Sequence, residues 1–116
     1  MSITRIDRTP RMSKIVEHNE TIYLSGQIAK DTTKGIKEQT ATTLEKIEEL
    51  LSKCGSDKSR ILSVTVYLRD IKDFSAMNEV WDAWIKEEDQ PARTCVEARM
   101  ARPDLLVEMT AVAAKK

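Results

Sequence analysis

Hydrophobic and polar positions alternate along several short runs of the chain, which is the period of a β-strand. The clearest run covers residues 61–68, where alternate positions are strongly apolar. Its predicted buried face consists of Leu62, Val64, Val66 and Leu68. Ile61 and Tyr67 then fall on the opposite face of the strand.

Five further runs favour strands, each bounded by polar or turn-forming residues. They cover residues 3–7, 13–17, 21–27, 91–97 and 105–114. Gly26, near the end of the run at 21–27, indicates a bulge or a point where another group approaches the backbone closely. The polar segment His18-Asn19-Glu20 predicts a hairpin turn just before that run.

Two stretches carry apolar residues at helical spacing instead. The first stripe is Ala41, Leu44, Ile47, Leu51 and Cys54, and the second is Phe74, Met77, Trp81, Trp84 and Ile85. Gly55 fits a C-terminal cap of the first helix, and Asp70 fits an N-cap before the second. We interpret both tryptophans as core or interface residues, because an aromatic stripe at this spacing usually packs.

The element order is therefore β-β-β-α-β-α-β-β, which predicts an α+β fold. We expect a single two-layer domain over residues 1–116, with a mixed sheet and both helices on one of its faces. The other face is left uncovered and would carry Tyr23 and Tyr67. Copies of the same chain are the simplest cover for such a face, so we expect a homo-oligomer with clefts between subunits.

The charges of the chain cancel, with 19 Lys and Arg residues against 19 Asp and Glu residues. This balance argues against a protein that binds nucleic acid or an anionic membrane through an overall positive field. No apolar run has the length of a membrane span, and the first residues lack the apolar core of a secretory signal. We therefore expect a cytoplasmic protein that neither spans nor binds a membrane.

The chain has two cysteines and one histidine. Cys54 and Cys95 lie far apart and lack the spacing of a zinc site, so we expect free thiols and no metal. A catalytic arrangement that needs histidine would have to use His18, which lies in the predicted hairpin turn.

The segment at residues 91–97, Pro-Ala-Arg-Thr-Cys-Val-Glu, is harder to explain by packing. Arg93 would share a strand face with Cys95, and an enclosed guanidinium needs an anionic partner. On the last predicted strand, the carboxylate of Glu108 interrupts a series of uncharged residues that share its face. A hairpin between these two strands would set Glu108 opposite Arg93. The residue types alone allow either a surface ion pair or a functional pair.

Several motifs together resemble the RidA family of reactive-intermediate deaminases, also called the YjgF/YER057c/UK114 family. They are Tyr23-Leu24-Ser25-Gly26-Gln27, residues 64–68 with Asp70 and Phe74, Met77-Asn78, residues 91–97 and Val107-Glu108-Met109. The resemblance covers nearly the whole chain. It implies a chorismate-mutase-like fold, a homotrimer with sites at subunit interfaces, and hydrolysis of enamine and imine intermediates to 2-keto acids and ammonia. It implies no metal or bound cofactor.

The resemblance also implies roles for individual residues. Arg93 would bind the substrate carboxylate, and Glu108 would hold and activate the attacking water. The backbone carbonyl of Cys95 would lie beside that water. Ser25 with Gly26 would form the facing polar wall, and Asn78 would lie at the side of the pocket.

One position departs from the pattern of the resemblance. The typical deaminases carry an aromatic residue, usually tyrosine, where this chain has Met12, and Arg11 and Lys14 add two cations nearby. This departure indicates a divergent branch and leaves the accepted substrate open. It also keeps open a second function, a non-catalytic trimer that binds small carboxylates such as 2-keto acids. The balanced charge gives little support to a ribonuclease function, because RNA binding is favoured by a positively charged surface.

Overall fold

The computed structural model describes residues 2–116, which form one α+β domain. The strands are β1 (Thr4–Arg8), β2 (Ser13–His18), β3 (Thr21–Leu24), β4 (Gln27–Ile28), β5 (Ile61–Leu68), β6 (Ala92–Glu97) and β7 (Val107–Ala114). The helices are α1 (Ile36–Lys53) and α2 (Phe74–Trp84). The predicted run at 21–27 is thus divided into β3 and β4, and the break falls at Ser25 and Gly26.

The strands form one mixed sheet in the order β1-β2-β3-β7-β5-β6, and the short β4 also pairs with β7. Only the β5–β6 pair is parallel, and α2 provides the crossover between these two strands. The predicted hairpin between β6 and β7 is therefore wrong, because β5 lies between them. Glu108 is opposite Tyr67, and Arg93 is opposite Val64.

The core lies between the sheet and the two helices. Alternate residues of β7 are fully buried on this side: Val107, Met109, Ala111 and Ala113. From β5 the core takes Val64, Val66 and Leu68 as predicted, but Leu62 is 51% exposed and Ile61 is buried in its place. The reason is a register shift between Ile61 and Ser63, which reverses the alternation at the start of the strand.

From the predicted stripe, helix α1 buries Leu44, Ile47 and Leu51, whereas Ala41 is exposed and Cys54, just past the end of the helix, is half-buried. Gly55 ends the helix with a φ of +68°, a conformation that favours glycine, as the sequence predicted. The fully buried Gln39 was not predicted as a core residue. It connects α1 to the loop before β7, since its side chain donates to the Asp104 carbonyl and accepts from the Leu106 amide.

The face of the sheet away from the helices is uncovered, as the sequence predicted. Tyr23 is 47% exposed and Val96 is 41% exposed on this open face. Half-buried Tyr67, Thr65 and Thr110 continue the surface between them. Among the helices of residues 2–116, none combines the length and the apolar character needed to cross a bilayer.

Candidate functional site

Arg93 lies on the helix side of edge strand β6 and extends across α2. Its guanidinium carbon is 4.9 Å from the centre of the Trp81 ring and 5.9 Å from that of Phe74. Nη1 lies 3.8 Å from Met77 Sδ. These contacts place the cation against an apolar and aromatic surface, where cation–π attraction holds it.

A cleft of about 300 Å³ opens beside this guanidinium, and we call it the arginine cleft. It is lined by Asn78, Trp81, Asp82, Gln90 and Arg93. Within residues 2–116, Arg93 forms no ion pair with a carboxylate. The sequence predicted an anionic partner for Arg93, and no carboxylate fills this role within residues 2–116. Apart from the contact of Nη1 with Met77 Sδ, the guanidinium donors are therefore available to a ligand.

Asn78 was predicted as a pocket residue, and the structure places it in the arginine cleft. Its Oδ1 is buried and has no hydrogen-bond partner among the described residues. Because a buried acceptor without a partner is costly, this atom is suited to a donor supplied from outside the chain.

Cys95 follows Arg93 on the same face of β6 and packs against the core. Burial raises the pKa of its thiol, and the nearby Arg93 offsets part of this effect. The neutral thiol is thus favoured at pH 7, which does not suit a nucleophilic role.

Glu108 lies on the opposite side of the sheet, in a second cleft of about 370 Å³ that we call the glutamate cleft. It is lined by Gly26, Tyr67, Ala98, Arg99, Met100, Ala101, Glu108 and Thr110. A β-carbon added to Gly26 would overlap the Glu108 carboxylate, with Cδ only 3.1 Å away. Glycine at this position therefore gives the carboxylate its space, which confirms the prediction that another group approaches the backbone at Gly26.

The backbone beside Gly26 is held by its neighbours. Ser25 donates its amide N–H to the Lys14 carbonyl over 2.9 Å. The buried Gln27 side chain donates to the Ser25 carbonyl and hydroxyl at 3.1 and 3.2 Å. Ser25 and Gly26 thus form an ordered connection between β3 and β4 next to Glu108.

Met12 lies in the turn between β1 and β2 and is 45% exposed. Its carbonyl accepts from the Thr9 amide over 2.7 Å. The pairing of Ile15 with Leu24 places this turn at the same end of the sheet as Gly26. Met12 does not line either cleft within the chain.

The two clefts lie on opposite faces of the sheet. Arg93 is in register with the core residue Val64, whereas Glu108 alternates with the core residues Val107 and Met109. One chain therefore brings Glu108 together with Gly26, and Arg93 together with Asn78. It does not bring Arg93 and Glu108 together.

Three residues of the arginine cleft were missed as site residues: Trp81, Asp82 and Gln90. Trp81 belongs to the predicted core stripe and is 3% exposed, but its ring also supports the Arg93 guanidinium. Its spacing from Phe74 on one helix face was the available signal. Gln90 accepts a hydrogen bond from the Trp81 indole, and no pattern in the sequence indicated this contact.

The single histidine lies outside both clefts. His18 is the last residue of β2, next to the hairpin turn in which Asn19 and Glu20 have positive φ. Within residues 2–116, no three His, Cys, Asp or Glu side chains converge on a common point that could hold a metal ion.

Comparison with known proteins assigns the family. The protein-family model described as Endoribonuclease L-PSP matches residues 2–115 of this chain. The chain belongs to the Endoribonuclease L-PSP family. Within this family it is 44% identical to the RutC family protein YoaB of Escherichia coli K12 over 114 residues, which are 98% of this chain and 99% of that protein. A RutC family protein of Haemophilus ducreyi is 42% identical over 112 residues, 97% of this chain and 96% of that protein.

A solved structure agrees with the fold. NMB1025 of Neisseria meningitidis, a member of the YjgF protein family, superposes with a TM-score of 0.96 at 45% identity. The match covers 100% of this chain and 97% of that one. The resemblance to the YjgF family and the predicted α+β architecture are thereby confirmed.

Proposed function

We propose that this protein is a hydrolytic deaminase that converts enamine and imine intermediates of the 2-aminoacrylate type to 2-keto acids and ammonia. The observation that carries the proposal is the state of Arg93. Its half-buried guanidinium faces two aromatic rings and forms no ion pair with a carboxylate among residues 2–116. Such a planar fork is suited to bidentate binding of a carboxylate, the group that these substrates share beside the imine carbon.

A complete site in this proposal needs two chains, because Arg93 and Glu108 lie on opposite faces of one sheet. We propose a homotrimer in which the arginine cleft of one subunit meets the glutamate cleft of the next. The open face with exposed Tyr23 and Val96 supports such an assembly. In a closed ring each interface would carry one site.

The reaction proposed at this interface is an addition followed by an elimination. An enamine first takes up a proton at carbon and becomes the imine. Water then adds to the imine carbon while the Glu108 carboxylate accepts a proton from it. The resulting carbinolamine takes that proton back from Glu108 at its nitrogen, loses ammonia as the C–N bond breaks, and gives up its hydroxyl proton to form the 2-keto acid. Because an imine carbon is already electrophilic, we propose that no metal or bound cofactor takes part.

The remaining residues position the substrate and the water in this proposal. The Cys95 carbonyl would lie beside the water, with the thiol as a bystander. Ser25 and Gly26 would form the wall next to Glu108, and Asn78 would face the substrate from the arginine cleft. Met12, at the same end of the sheet as Gly26, would contribute to the choice of substrate side chain.

The cellular setting follows from the chemistry. Pyridoxal-phosphate enzymes of the cytoplasm release 2-aminoacrylate and related imines, so we propose a cytoplasmic protein that removes them. Its partners in this setting are the small-molecule substrate and two copies of the chain, with neither nucleic acid nor membrane.

The test is to generate 2-aminoacrylate in situ with a pyridoxal-phosphate lyase and to follow keto-acid release with and without the protein. We expect accelerated release, and light scattering should report three chains. Wild-type protein that binds pyruvate or 2-ketobutyrate in calorimetry but never accelerates release would instead be a carboxylate-binding trimer. Because the family model is described as an endoribonuclease, RNA cleavage by the same preparation is measured beside it. The proposal would be refuted if the wild-type protein showed no deaminase activity and RNA cleavage persisted in Arg93→Ala.

A further inference from the structure

We propose that Gln90 is a positioning residue, which orients Trp81 so that the indole ring holds the Arg93 guanidinium in its carboxylate-binding pose. The inference deepens the proposed function and rests on it for the identity of the ligand. It concerns a contact within one chain, so its structural part is independent of the ligand.

The first step is the hydrogen bond itself. Trp81 Nε1 donates to Gln90 Oε1 over 3.1 Å. Trp81 is 3% exposed, whereas Gln90 is exposed and lies between a short 3-10 turn at Glu87–Asp89 and the strand that carries Arg93. A buried indole N–H needs an acceptor, and this one comes from a residue three positions before Arg93.

The second step is the position of the ring. The Trp81 centroid is 4.9 Å from the Arg93 guanidinium carbon, closer than that of Phe74 at 5.9 Å. Trp81 also contacts Trp84, with centroids 5.6 Å apart and planes tilted by 53°. Since a cation–π contact depends on the ring face presented to the cation, rotation of the indole would move the guanidinium or weaken its support.

The third step is what Gln90 offers besides the acceptor. Its amide lines the arginine cleft with Asn78 and Asp82. The same side chain thus connects the buried ring to the rim of the cleft. In the proposed role Gln90 acts on the ligand through Trp81 and Arg93, and it takes no part in proton transfer.

A matched control exists on the same helix. Trp84 Nε1 donates to Glu48 Oε1 over 2.5 Å, so a second indole is held by an acceptor from a different element. Lys58, and not Arg93, lies over that ring at 5.3 Å. Gln90→Met and Glu48→Met each remove the acceptor of one tryptophan, and only the first removes the acceptor of the ring below Arg93. Glu48→Met also removes the ion pair between Glu48 and Lys58.

The experiment reads the Arg93 side-chain resonances by NMR in the wild type, Gln90→Met and Glu48→Met, with Arg93→Ala to assign them. Ring current from Trp81 should shift these resonances upfield in the wild type. Gln90→Met should move them toward the values of free arginine, and Glu48→Met should leave them in place. Gln90→Glu keeps an acceptor oxygen and should retain the ring-current shift.

The same variants are then tested with pyruvate and 2-ketobutyrate in calorimetry and with in situ imine in the assay. Gln90→Met should weaken binding and raise KM by about fivefold to tenfold, with kcat changed much less, because the ligand carboxylate loses a fixed partner. Thermal melts for both Met variants report any loss of folding. Unchanged Arg93 resonances in Gln90→Met, or equal changes in both Met variants, would overturn the inference. Wild-type protein without keto-acid binding or turnover would refute the proposed function, while the NMR comparison would still decide the role of Gln90.

Discussion

Arg93 and Glu108 project from opposite faces of one sheet, although a single strand, β5, separates the strands that carry them. Their clefts are therefore distinct within one chain. A reaction that uses both groups must join two subunits, and this makes the assembly itself testable through the two residues.

The first prediction concerns mixed trimers. Arg93→Ala and Glu108→Gln should each be inactive or slowed on the order of a hundredfold or more, the usual scale for a positioned acid or base. Co-refolding the two variants in equal amounts should restore activity to about a quarter of wild type, because that share of random interfaces pairs an intact Arg93 with an intact Glu108.

The control for this experiment mixes each variant with itself, which should restore nothing. Activity that never rises in the mixture, despite exchange shown by mass-tagged subunits, would place both groups within one subunit's site or outside the site altogether.

The second prediction tests the space above Gly26. Gly26→Ala should displace the Glu108 carboxylate, since the added β-carbon would overlap it. The end of a flexible side chain can move away, so the fold should survive while kcat falls by about tenfold to a hundredfold. Gly35→Ala is the matched control, because no atom lies within 4 Å of a β-carbon there. Full activity in Gly26→Ala would remove Glu108 from the mechanism.

The third prediction separates charge from geometry at Arg93. Arg93→Lys keeps the charge but loses the planar fork, so it should lose most activity and most 2-keto acid affinity. Circular dichroism melts should remain close to wild type, because Arg93 has no ion pair to lose among the described residues. If Arg93→Ala is folded, trimeric and fully active, the proposed carboxylate site is wrong.

The fourth prediction concerns stability. The two N–H groups of Gln39 Nε2 are shared among three carbonyls, those of Thr32, Lys34 and Asp104, at 3.3, 3.0 and 3.1 Å, and Oε1 accepts from Leu106 N at 3.0 Å. Gln39→Leu would leave these backbone groups without that partner and should lower the free energy of unfolding by about 3 kcal/mol. Urea unfolding measures this loss. Ala41→Leu, at an exposed position of the same helix, should change stability by less than about 0.5 kcal/mol.

The fifth prediction is a pH dependence. A hydrogen bond from Lys116, together with those from Ser59, lowers the pKa of Asp57 to about 2. Because the folded-state pKa is depressed, the stabilisation is present above the unfolded pKa of about 3.9 and is lost as pH falls toward 2. Asp57→Asn should therefore flatten the decline of unfolding free energy between about pH 4 and 2.

Lys116→Gln should reproduce part of this flattening, since Lys116 Nζ lies 2.8 Å from Asp57 Oδ2. An unchanged acid limb in Asp57→Asn would show that the exposed pair is screened by solvent.

The spacing of apolar residues predicted the strands and helices correctly where the residues at that spacing are also the buried ones. Val64 and Val66 alternate into the core, and Gly55 ends α1 with the positive φ that glycine favours. The same reasoning failed at Leu62, because a bulge beside it reverses the face and leaves no trace in the spacing of apolar residues. Gln39 was missed for a related reason. A polar residue is predicted to face solvent unless its backbone partners, here in the loop before β7, are known.

The sequence by itself determined the α+β class, the open face with Tyr23 and Tyr67, and the residue types of the candidate site. Each follows from the period of one segment or from the chemistry of one side chain. Only the tertiary structure decided that β6 pairs with β5 and that Arg93 and Glu108 face apart. The alternation of apolar and polar residues along a strand shows which residues share a face of that strand, but it does not show which strand lies beside it. The neighbour of that strand is chosen by burial across the whole sheet. The apolar strand β5 takes the interior position between β7 and β6, and the more exposed β6 forms the edge.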